Sequence, residues 1–167
     1  EFNYDLASIY LQDDAFQSRP GEEVQATVSI SRAPEVTPLL LTTYKIADAD
    51  LNAVASAVFS IEGWFPNSVE QVKNTEILSR FDGQSLALQA TISPSPSASY
   101  ETVYSFPAVD EPGVYLAVLE IHGQKSLRFW SVSEVGATIV LSQTTGYFWT
   151  VNTASNEVIN SVEVFAG

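Results

Sequence analysis

Between residues 113 and 165 the chain is an almost unbroken series of short stretches with alternating apolar and polar residues, and few folds accommodate that pattern. After Pro112-Gly113, the residues Val114, Leu116, Val118 and Ile121 mark one strand. His122-Gly123-Gln124 has the chemistry of a tight hairpin turn, and residues 127–132 form the returning strand. Further strands are predicted at 138–141, 147–151 and 158–165. A period of two places alternate side chains on opposite faces of a sheet. Connections of only a few residues make such strands antiparallel neighbours.

The preceding half follows the same rule with one interruption. Ser8-Ile9-Tyr10-Leu11 is a short extended piece, and Arg19-Pro20-Gly21-Glu22 is a turn. Val24, Ala26, Val28 and Ile30 alternate with polar residues in a half-buried strand, and Pro34 and Pro38 bound the loop before a strand at 39–46. The period then lengthens: Leu51, Val54, Ala55 and Val58 predict one short amphipathic helix, with Asp48 or Asp50 as N-cap. Gly63-Trp64-Phe65-Pro66-Asn67 reads as a loop. Strands at 75–81 and 85–92 flank Asp82-Gly83, a hairpin signal. Pro94-Ser95-Pro96-Ser97 reads as a loop and 102–106 as a further strand. The sum, about eleven strands and one helix, predicts a mainly β fold, an antiparallel β-sandwich.

Composition narrows the function classes. The 167 residues carry 20 acidic against 7 basic side chains, a formal charge of -13, which repels nucleic-acid backbones and anionic membrane surfaces. Hydrophobic residues make up 46% of the chain, enough for a sizeable core. With no Cys there is no disulfide, no thiolate nucleophile and no sulfur-based zinc site. Without Met, the chain is expected not to begin at its own start codon, and Glu1-Phe2 reads as a processed or cloned end. No apolar run reaches the length of a membrane-spanning helix, so no direct membrane insertion by this segment is expected.

Few residues invite chemistry, and the expectation is a non-enzymatic chain without cofactors. His122 is the one histidine and falls in a predicted turn, where a solvent-exposed side chain is the simpler reading. Calcium would need oxygen ligands, and Asp13-Asp14, Asp48 with Asp50, and Asp110-Glu111 are the acidic pairs to consider. None has the ligand density of a calcium loop, and Asp48 and Asp50 are explained by the helix dipole. Glu62, Glu70 and Glu76 lack the setting that paired-carboxylate glycosidases require. Trp130 and Trp149 fall in strands and read as core. Trp64 and Phe65, a large apolar pair in a loop, are the candidate interaction surface, sheltered by their own sheets, by an adjacent domain or by a ligand.

Four stretches resemble a known family. Residues 14–28, with Phe16 and the Arg19-Pro20-Gly21-Glu22 turn, are similar to the first strands of the N-terminal macroglobulin-like domains of bacterial alpha-2-macroglobulins. Residues 40–54 (LLTTYKIADADLNAV) resemble the family's strand that precedes a short helix. Residues 106–120 (FPAVDEPGVYLAVLE) resemble the strand that closes a domain after a Pro-Gly turn, and residues 132–165, with Tyr147-Phe148-Trp149, the crossing into the next domain. The resemblance implies an immunoglobulin/fibronectin-like macroglobulin domain at 1–133. Residues 134–167 would then start a second β-sandwich or complete the first. It further implies an extracytoplasmic structural module of a protease trap, whose partners are neighbouring domains and, through the parent protein, proteases. The family's Cys-Gly-Glu-Gln thioester cannot lie in this Cys-free segment, so no functional residue carries over. A cell-surface adhesin or carbohydrate-binding module is the alternative, because Pro-Gly turns beside alternating strands occur there too.

Overall fold

The computed structural model describes residues 8–11, 15–31, 37–59, 68–95, 102–141 and 146–159. The strands are β1 (Ser8–Leu11), β2 (Ala15–Ser18), β3 (Val24–Ser31), β4 (Leu39–Lys45), β5 (Leu88–Ile92), β6 (Pro94–Ser95) and β7 (Val103–Phe106). They continue with β8 (Gly113–Ile121), β9 (Gln124–Val132), β10 (Val135–Leu141) and β11 (Gly146–Asn152). Between β4 and β5 lie a 3-10 turn at Asp48–Asp50 and two helices, α1 (Leu51–Phe59) and α2 (Ser68–Ser79).

Two sheets stack into a sandwich. One has the order β1-β3-β7-β6 and the other β2-β9-β8-β4-β5. This is the strand order of an immunoglobulin-like sandwich, with β2 beside β9 and β5 beside β4 added at the two edges of the larger sheet. The first strand is divided: β1 pairs with β3 in one sheet, and β2 crosses to pair with β9 in the other. That second pairing is parallel, so the larger sheet is mixed rather than wholly antiparallel. Tyr115, near the start of β8, donates its hydroxyl to the carbonyl of Glu111 at 2.6 Å, the tyrosine corner that braces such sandwiches.

The larger sheet is buried on both faces, and the period of two sorts its side chains. Leu39, Leu41, Tyr115, Ala117, Leu119 and Trp130 point into the sandwich, where they meet Val28, Tyr104 and Phe106 of the smaller sheet. Leu116, Val118, Leu127 and Phe129 point the other way and pack against Val54, Val58, Ile77 and Phe81 of the helical insert. A strand covered on both sides reads as a continuous apolar run, which is why β8 is so hydrophobic. Each such side chain stabilises the fold by about 1.5–3 kcal/mol relative to its exposed state.

Further features differ from the sequence expectation. Residues 75–81 are not a strand: most belong to α2, so the described residues of the insert hold two helices rather than one. Asp82-Gly83 ends that helix instead of turning a hairpin. Gly83 takes φ 79, and Gln84 N donates to Phe81 O at 3.0 Å. Glycine at positive φ serves a helix end as readily as a hairpin, so the dipeptide does not discriminate between them. The helical period was hidden because Asn74 shares the buried face with Ile77 and Phe81, while Val72 is exposed. Neither Asp48 nor Asp50 is an N-cap. Ala47 holds that position without a side-chain bond, and the two aspartates lie inside the first turn. Finally, Pro94–Ser95 forms a two-residue strand against Val103 and Tyr104 where a loop was expected.

The His122-Gly123 turn is as expected, with φ 48 and 78 at its two residues. After β9 the chain leaves the sandwich. β10 starts at Val135, before the predicted 138, and pairs with β11 in a separate two-stranded sheet. The segment predicted at 158–165 begins with an antiparallel bridge between Val158 and Val151, and its residues from 160 on lie outside the described ones.

Candidate functional site

The strands bring together one group of residues that sequence reasoning did not single out as a site: the corner where the sandwich passes into the β10–β11 hairpin. It is built on the Arg19-Pro20-Gly21-Glu22 turn. Gly21 adopts φ 76 and donates its N–H to Val109 O at 3.0 Å. Glu22 Oε2 accepts from Arg19 N at 3.0 Å and lies 3.9 Å from Arg19 Nε. The ion pair is half exposed and adds little stability, whereas Glu22 N, donating to Arg19 O at 3.1 Å, closes the turn.

Directly before this turn, Ser18 is buried, and its hydroxyl accepts from Trp130 Nε1 at 2.9 Å. Phe16 meets Phe106 edge to face with ring centroids 5.0 Å apart. Ser133 N donates to Ser18 O at 2.9 Å, which extends the parallel β2–β9 pairing by one residue. The chain then bends into β10. Between the turn and the hairpin lies an open cleft of about 380 Å³, lined by Arg19 and Glu22 on one side and Gly136 and Val151 on the other.

The residues predicted to matter are scattered. Trp64 and Phe65 lie outside the described residues, as do Asp13, Asp14 and Glu62. His122 is exposed at the tip of the β8–β9 turn, and Glu76 is exposed on α2, the helix that also carries Glu70. Asp48 and Asp50 are exposed at the start of the insert. Glu111 pairs with Lys45 across the sandwich end, and its carboxylate holds the Lys45 ammonium above its ordinary value. Among the described residues no three His, Cys, Asp or Glu side chains converge on a common point.

Trp130 is fully buried, as expected of a strand tryptophan, but Trp149 is 43% exposed on β11. Its strand belongs to the two-stranded β10–β11 sheet and not to the sandwich. The register puts Trp149 on the same face of the hairpin as Val151 and Gly136, two residues that line the cleft. No periodicity could have flagged it, because burial here depends on which sheet the strand joins. No protein-family model and no curated protein matches the chain.

Proposed function

We propose that the chain is a non-enzymatic structural module of an exported alpha-2-macroglobulin-like protease inhibitor, acting outside the cytoplasm. Residues 1–133 form its macroglobulin-like sandwich, and residues 134–167 start the next β unit. The observation that supports this reading is the corner at Ser133-Glu134. There the chain leaves a sandwich whose two sheets already use β1 to β9, and enters a separate antiparallel sheet. The partners are neighbouring domains of the parent protein and, through that parent, a protease. A charge of -13 keeps nucleic acid away from it.

The test uses the product of the whole reading frame in which this sequence lies. It is incubated with proteases of the serine, cysteine, aspartic and metallo classes. Enclosure predicts that a trapped protease still cleaves a small chromogenic peptide but no longer cleaves a large protein. If large substrates remain fully susceptible with every class, the proposal fails.

A cell-surface adhesin or carbohydrate-binding module is the second reading, favoured by the half-exposed indole of Trp149. Binding across a broad glycan array, abolished by Trp149→Ala, would support it over the first.

A further inference from the structure

We infer that the corner between the sandwich and the β10–β11 hairpin is a fixed joint, which sets the angle at which the next β unit leaves the sandwich. The inference deepens the reading of the chain as one module in a series.

The connector is only Ser133 and Glu134, and its backbone groups are held from both sides. Ser133 N is bound by Ser18 O at 2.9 Å, so the last residue before the bend is still part of the sandwich. Glu134 O accepts from Thr153 N at 2.7 Å and from Thr153 Oγ1 at 3.1 Å, which ties the bend to the far end of β11. Val135 N donates to Ser133 Oγ at 3.0 Å, closing a local turn across the connector. Val135 O accepts from the Gln17 side chain at 3.5 Å, a direct tie from β2 to β10. With Ser133 N and Glu134 O held in this way, the connector has less freedom in φ and ψ than a flexible linker, which leaves those groups to water.

Packing restricts the same place. A Cβ on Gly136 would stand 3.0 Å from Thr153 Cγ2 and 3.4 Å from Val151 Cγ2. The absence of a side chain at Gly136 therefore lets Thr153 close over the start of β10 and reach Glu134. A joint of this kind holds the adjoining cleft at a constant width and carries a force on the hairpin into β9 and β2, instead of dissipating it in a loose linker.

The chain has no cysteine, so two introduced ones are its only thiols. Nitroxide labels at Gln25→Cys on the exposed side of β3 and at Ala154→Cys beyond β11 span the joint. Pulsed electron–electron resonance on the full chain should return one narrow distance distribution. Adding Gln17→Ala with Thr153→Val should broaden it while the far-UV circular dichroism stays that of the parent. A broad or two-peaked distribution in the doubly labelled parent overturns the inference before the added substitutions are made. A double variant as narrow as the parent overturns the role assigned to the Gln17 and Thr153 side chains in holding the joint. Neither result depends on the protease-protection assay, because the joint is measured within this chain.

Discussion

The indole nitrogen of Trp130 donates a 2.9 Å hydrogen bond to the hydroxyl of Ser18, joining two buried residues 112 positions apart. This contact adds a side-chain bond to the backbone pairing that holds β2 beside β9, where the first strand has changed sheets. Ser18→Ala would leave the indole N–H buried without a partner and should cost about 1–3 kcal/mol. Trp130→Phe keeps most of the apolar volume and removes the donor, so it should cost less than Trp130→Ala at about 3–5 kcal/mol. Urea unfolding followed by circular dichroism measures all three, and a Ser18→Ala variant as stable as the parent would refute the account.

Neighbouring residues on β8 face different cores. Leu116 packs towards the helical insert and Leu119 towards the smaller sheet, and both are fully buried. Truncating either to Ala should cost about 2–5 kcal/mol. A strand with one face in water would tolerate one of the two changes at little cost. Comparing their denaturation midpoints thus tests whether α1 and α2 cover the sheet.

Asn74 is buried on α2, where its Nδ2 donates to Lys125 O at 2.8 Å while its Oδ1 lacks a protein partner. The bond ties the insert to β9. Asn74→Asp would set a carboxylate against the Lys125 carbonyl in a buried site. The acid must then either stay protonated or force the helix away. The variant should be destabilised by more than about 1 kcal/mol near neutral pH and recover part of that loss in acid. Loss of stability independent of pH would count against the contact.

Alkali should loosen the fold. The Glu111 carboxylate raises the Lys45 ammonium above its ordinary 10.5, and burial raises the Tyr104 and Tyr115 phenols above 10.0. In each case the folded chain keeps a proton that the unfolded chain releases first. The contribution of these three groups is therefore constant between neutral pH and about pH 10 and is lost as the pH rises beyond it. The denaturant midpoint should hold steady up to that point and then decline. In Tyr115→Phe the decline should be shallower, although the lost bond to Glu111 lowers stability at neutral pH by about 0.5–1.5 kcal/mol.

Much of the fold was legible because a strand's period shows in its residues. The alternation of β3, the apolar run of β8 and the two-residue His122-Gly123 turn each follow from local backbone geometry. The insert was read only in part. α1 carries its apolar residues at helical spacing, whereas α2 buries an asparagine and exposes Val72, so its spacing points nowhere. Asp82-Gly83 then favoured the wrong partner, since a glycine at positive φ ends helices and turns hairpins alike. The corner was half visible: Arg19-Pro20-Gly21-Glu22 announces a turn, but nothing in it announces Thr153 or Val151.

By itself, then, the sequence determined that this protein is built mainly of short strands with enough apolar residues for a sizeable buried interior, and that it is strongly acidic. Those properties depend on residue type and on the spacing of neighbours along the chain. Tertiary structure alone decided that β1 and β2 enter different sheets, that β2 runs parallel to β9, and that Trp130 is buried while Trp149 is half exposed. Each of these depends on contacts between residues far apart in the chain. Hydrogen bonds and packing are satisfied there by position in space, and local periodicity carries no record of it.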